Sequence, residues 1–274
     1  MNYLENFNTK QELFSYLHEN NKEIVEMKKA SKKTHAFTPS LLVDSYRKSS
    51  NKELYTSGKE DTDVVIKRTI IGNTYNWLDS HGDVHVGNTF KKSISERSDK
   101  IFHLHDHEYK LTAKVGTPTK IYEKKVDWRD LGVNKDGQTI ALMMDSNIEK
   151  LKNANIFQEY KDGNIDQHSV GMYYVNVMLA MNSDDPQHKE YKKTYNKYIN
   201  LIGNKQKAEE VGYFYAVLEA KLIEISAVLQ GSNELTPTVD VKNIEPTEVT
   251  QNNQSDSSTD KTTKESKVGS FIYY

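Results

Sequence analysis

The sequence predicts a mainly β, α+β domain: a mostly antiparallel β-barrel or sheet of about seven strands surrounded by helices. Two observations predict it. Between Asp61 and about Val241 the chain breaks into short alternating or apolar runs bounded by turn residues, which is the texture of strands. Helix-patterned stretches interrupt that series only two or three times, too rarely for a regular strand–helix alternation.

In order, VVIKRTII (64–71) and the stretch through Trp77 read as strands, and DSHGD (79–83) reads as a turn from its Asp, Ser and Gly content. FKKSISER (90–97) is a short helix capped by Asn88 or Thr89. KIFHLHDH (100–107) has a period of two. Phe102 and Leu104 fall on one face of that strand, and His103, His105 and His107 on the other. TAKVG (112–116), TKIYEKKVDW (119–128) and QTIALMMD (138–145) continue the strands. NIEKLKNANIFQEY (147–160) is helix-like, and IDQHSVGMYYVNVMLAM (165–181) is a long β-rich run. DDPQHKEYKKTYNKYINLI (184–202) is helical, with Asp185 before Pro186 marking its start. GYFYAVLEAKLIEISAVL (212–229) supplies one or two more strands.

The flanks differ. Residues 1–60 are polar and helix-patterned, with Leu13, Leu17, Ile24 and Val25 at roughly helical spacing before the basic run Lys28 to Lys33. This is an amphipathic extension that docks on the core or on a partner, and the basic run reads as a solvated face. From Lys242 to Tyr274 the chain is rich in Ser, Thr, Asn and Gln. It holds too little apolar surface to offset chain entropy, so a disordered tail is expected. The terminal GSFIYY is either a docking peptide on that tether or a random apolar end. Three regions follow: a helical extension (1–60), a folded domain (61–241) and a polar tail (242–274).

Composition narrows the function. A net charge of -2 over 274 residues offers no global basic field for nucleic acid or an anionic membrane. Cysteine is absent, which excludes disulfides and thiolate-bound metal and suits a reducing compartment. No apolar run approaches the ~20 residues of a membrane span, and MNYLENFNTKQEL lacks the order of a signal peptide. The expectation is a soluble intracellular protein.

Three groups of residues carry candidate chemistry. His103, His105 and His107 are a solvated strand face, a metal site, or the source of a general base. No spaced ligand motif accompanies them. Ser169, in DQHSVGMYY, is a candidate nucleophile if an imidazole accepts its proton. Its neighbour His168 points to the opposite strand face and is not its partner. Glu224 sits within the apolar KLIEISAVL. It either faces solvent on an edge strand or is buried, and a buried carboxylate requires a partner such as a histidine.

Four blocks in order resemble the tailed-phage prohead protease family, which shares its fold with the herpesvirus assemblins. They are NWLDSHGDVHVGNTF (76–90), KIFHLHDH (100–107) followed by KVG (114–116), EYKDGNIDQHSVGM (159–172) and LIEISAVLQGSN (222–233). They are similar to the family's opening strand and turn, its histidine strand, its Ser-[Ile/Val]-Gly strand and its Leu-x-Glu-[Val/Ile]-Ser strand. The chain departs from the family at Val86-Gly87-Asn88-Thr89-Phe90, at Gly231-Ser232-Asn233, and in a helical insertion around 184–210.

The resemblance implies an assemblin-like barrel and a cofactor-free serine endopeptidase. In it Ser169 is the nucleophile, His105 the base because Asp106 follows it, and Glu224 the third member; His107, one strand repeat on, is the alternate base. It also implies a bacterial host cytoplasm and the procapsid interior as the setting. The major capsid protein, scaffold and the enzyme itself are the implied substrates, and a homodimer is one possible active form. The other reading is a catalytically inactive, scaffold-like assembly protein of the capsid interior.

Overall fold

The computed structural model describes residues 7–30 and 61–239. The expected tail with its GSFIYY end, the extension from residue 31 to 60, and the end of the basic run lie outside the described residues.

Two short helices open the chain, α1 (Lys10–Glu19) and α2 (Asn21–Ala30). Thr9 caps α1 by accepting from the Glu12 N–H, while the Glu12 carboxylate accepts from the Asn8 N–H. The first bond satisfies a helix-end donor, and the second ties the residue ahead of the cap back onto the first turn. Leu13, Phe14, Leu17 and Ile24 are buried in the main core, each stabilising the docked pair by about 1.5–3 kcal/mol. Of the two expected destinations for the extension, this part docks on the core.

The strands are β1 (Val65–Thr74), β2 (Asp83–His85), β3 (Phe102–His105), β4 (Lys114–Asp127), β5 (Gln138–Glu149), β6 (His168–Met181), β7 (Tyr213–Ala227) and β8 (Thr238–Val239). The helices between them are α3 (Lys91–Arg97), α4 (Ala154–Lys161), α5 (Lys189–Tyr198) and α6 (Lys205–Val211). Strand order runs β2-β7-β3-β4-β5-β1-β8, with β6 on the other edge of β7. Pairing is antiparallel except that β2 and β3 lie end to end, both parallel to β7.

The sheet is open, which corrects the expected closed barrel. Closure would need a ladder between β8 and β6, but β8 is two residues long and pairs only β1. Side chains bridge the gap instead. Asn233 donates to the Thr74 carbonyl, Thr74 to the Leu235 carbonyl, and Thr236 to the His168 carbonyl.

Other boundaries shift for local reasons. Two expected runs merge into β4, and β7 is one strand with three register shifts against β6, one at Gly171/Met172 and two between Tyr174 and Val177. Residues 147–149 belong to β5, so α4 begins only after Asn153, whose side chain caps it. Neither Asn88 nor Thr89 caps α3: Thr89 donates to the Val86 and Val217 carbonyls, and Phe90 holds the cap position without a side-chain bond. Asp185 does cap the turn ahead of α5, accepting from the Gln187 N–H. No helix among the described residues is long and apolar enough to cross a membrane.

The β6–β7 ribbon separates two environments. Its inner face (Val170, Met172, Tyr174, Val177, Ile225, Leu222, Val217) lines the main core. At one end its outer face (Ala180, Phe214, Ala216) is covered by Tyr195, Tyr198 and Ala208 of α5 and α6. The other end of the outer face carries polar groups.

Candidate active site

Ser169 pairs with Ser226 and Gly171 with Glu224 across the antiparallel β6–β7 ladder. Directly opposed residues share a face, so Ser169, Glu224 and Ser226 occupy one patch beside a glycine that contributes no side chain. Glu224 is fully buried. One of its oxygens accepts from Ser226 Oγ at 2.6 Å, and the other lies 2.8 Å from His107 Nδ1.

The three histidines separate. In the parallel β3–β7 register Phe102 lies beside Glu224 and Leu104 beside Ser226, while His103 lies beside Ile225 and His105 beside Ala227. His103 and His105 are therefore on the face opposite Ser169. His105 Nδ1 meets Asp106 Oδ2 at 2.9 Å, and that aspartate is mostly exposed. His107 escapes the alternation because β3 has ended. Asp106 and His107 both take left-handed backbone, at φ 51° and 56°, uncommon for non-glycine residues and typical of functional sites. The turn is tied down by the Asp106 N–H on the Ala227 carbonyl at 2.9 Å, and it swings the ring onto Glu224.

An ionised Glu224 accepts at both oxygens, which puts the His107 proton on Nδ1 and leaves Nε2 as an acceptor. That nitrogen is buried and has no hydrogen-bond partner. A base of this tautomer, oriented by a carboxylate, is what an uncharged serine hydroxyl needs. Ser169 is 6% exposed, and the structure places the alternate base His107, rather than His105, on its side of the sheet. Of the two readings of Glu224, the buried and paired one holds.

On the opposite face, His103 Nδ1 lies 2.9 Å from Ser146 Oγ and its Nε2 3.0 Å from Tyr160 OH. Tyr160 OH also lies 2.8 Å from His168 Nε2, and His168 Nδ1 lies 2.8 Å from the Thr236 carbonyl. Burial, with smaller contributions from His168 and Lys152, pushes His103 down to about 3. Burial pushes His168 down to about 4, against the opposing bond to Thr236. Sequence reasoning missed Tyr160, Ser146 and Thr236, because three separate elements bring them together.

A second buried cluster joins α2 to the sheet. Lys28 Nζ contacts Asp83 Oδ1 at 2.5 Å and lies 4.5 Å from the centre of the Tyr215 ring. Tyr174 donates to the other Asp83 oxygen at 2.8 Å. Burial raises Asp83, but Lys28 and Tyr174 outweigh it and hold the carboxyl below its usual range. Burial and then the Asp83 charge push neighbouring Asp79 up to about 7. Lys28 is thus part of an interior pair, not the solvated face expected for the basic run.

Among the described residues no group of three or more His, Asp or Glu side chains is arranged to hold a metal ion. The divergence of His103, His105 and His107 accounts for this on β3. No family model matches the chain, and no curated protein or solved structure matches it.

Proposed function

We propose that the chain is a serine endopeptidase in which Ser169 is the nucleophile, His107 the general base and acid, and Glu224 the group that orients the imidazole. The observation that carries it is the His107–Glu224 contact, with His107 Nε2 unpartnered on the face that bears Ser169. In this reading Ser169 Oγ attacks the scissile carbonyl as its proton passes to His107 Nε2. The same proton then goes to the leaving amine, and water repeats the cycle to release the acyl group. The assignment moves the base from His105 to His107, since strand alternation turns His105 away.

The finer reading is a capsid-maturation protease with an assemblin-like fold. Four sequence blocks in the family's order support it, and three of their polar side chains (His107, Ser169, Glu224) fall within one region of the fold. Scaffold and the major capsid protein are then the substrates, cut inside the procapsid of an infected bacterium, with self-cleavage alongside.

Co-expression of the chain with its capsid protein and scaffold tests this. Ser169→Ala is expected to leave both uncut while circular dichroism matches the wild type. Normal processing by that variant sinks the assignment. Absence of processing by the wild-type chain, with capsids still assembling around it, favours the inactive assembly protein instead.

A further inference from the structure

We infer that His168, gripped by Tyr160 and Thr236, is a positioning residue that sets the orientation of Ser169; this rests on the serine-hydrolase reading above. His168 precedes the nucleophile and projects from the other face of the same strand, so the peptide unit between them links their orientations. The residue is held at four points. Its N–H donates to Thr236 Oγ1 at 3.2 Å, and its carbonyl accepts from that hydroxyl at 2.7 Å. Its ring is held at both nitrogens, by the Thr236 carbonyl and by Tyr160 OH, each at 2.8 Å.

The directions follow from what each group can do. A carbonyl only accepts, so His168 carries its proton on Nδ1, and Nε2 accepts from Tyr160 OH. The Tyr160 oxygen then accepts from His103 Nε2–H, and His103 Nδ1 accepts from the Ser146 hydroxyl. Each link in the chain from Ser146 to Thr236 is satisfied in a single proton direction, and all five residues are buried. Such a network has one low-energy arrangement.

Two glycines of the sequence blocks make room for it. A Cβ on Gly116 would lie 2.7 Å from Ser146 Oγ and 3.1 Å from His103 Nδ1. A Cβ on Gly231 would lie 2.6 Å from the His168 carbonyl oxygen. The relay touches no reacting atom in this reading. It acts only through the placement of Ser169.

Reaction of the full chain with a fluorophosphonate probe, which phosphonylates an activated serine and releases fluoride, tests the inference. Tyr160→Phe keeps the ring and removes both hydroxyl contacts. It is expected to lower the maximal labelling rate on the order of tenfold or more, as small misplacements of a reacting group do, with the apparent probe affinity unchanged. His168→Leu is expected to lower the rate further, and His168→Asn, which retains a donor for the Thr236 carbonyl, to recover part of that loss.

Phe157→Leu, a core change on the same helix outside the relay, is the control. It is expected to lower the melting temperature yet label at the wild-type rate. A folded Tyr160→Phe variant that labels at the wild-type maximal rate overturns the inference, and that variant alone decides it if His168→Leu does not fold. Failure of the wild-type chain to label at Ser169 overturns the hydrolase reading itself, a distinct outcome.

Discussion

The His107 imidazole and the Glu224 carboxylate meet at 2.8 Å, with side-chain exposures of 5% and 0%. Their contact is made by a turn, since two consecutive left-handed residues carry His107 off the face that β3 assigns to His103 and His105.

That placement separates the two histidines experimentally. His107→Ala is expected to lower serine labelling or self-cleavage on the order of 10³-fold or more, as loss of a triad base does. His105→Ala should stay near the wild-type rate, because its ring pairs with the exposed Asp106. The reverse ranking in a single-turnover assay would return the role to His105.

Ser226 is the rival hydroxyl, directly across the ladder from Ser169 and committed to Glu224 at 2.6 Å. Ser226→Ala removes the donor from a buried Glu224 oxygen and is expected to cost about 1–3 kcal/mol in denaturant unfolding. The labelled residue should remain Ser169 when the adduct is mapped by mass spectrometry. An adduct on Ser226 in the wild-type chain would reassign the nucleophile.

Lys28 closes a buried pair with Asp83, and the two side chains are 14% and 1% exposed. Lys28→Met strands the carboxylate and is expected to destabilise the fold by about 3–5 kcal/mol. Adding Asp83→Asn should recover part of that loss. Strict additivity of the two changes in a double-mutant cycle would show that the contact contributes nothing.

The buried histidines set a pH dependence. His85, pushed down to about 4 by burial, joins His103 and His168. Each binds a proton more weakly folded than unfolded. Their stabilisation is therefore complete above the unfolded value of 6.5 and is lost as pH falls toward the folded values. Each contributes a slope of up to ~1.4 kcal/mol per pH unit. Asp79 acts oppositely, since its raised carboxyl favours the folded state at low pH and loses that contribution as pH rises through about 7. Three groups against one predict that unfolding midpoints rise from about pH 4 to pH 6.5. Changing His103 and His168 together to Gln should flatten that rise, provided the double variant folds, and an unchanged slope would contradict the account.

Ser169 and its histidine partner entered only through the order of the four resembling blocks. The sequence by itself determined the mainly β character, most strand positions, the docking stripe of α1 and α2, and the need of a buried Glu224 for a partner. Each is legible because it depends on short-range periodicity or on the cost of burying a charge. Strand alternation also placed His168 opposite Ser169. The same alternation misled at His107, where it extended a strand past the point at which the backbone turns left-handed. Tertiary structure alone decided which histidine meets Glu224, that the sheet stays open, that Lys28 goes inside, and that Tyr160, His103 and Thr236 converge on His168. Those outcomes depend on strand register and on contacts between residues distant in sequence, which local pattern does not encode. Glu224 and His107 stand 117 residues apart, and only the β3–β7 and β6–β7 ladders bring them to Ser169's side of the sheet.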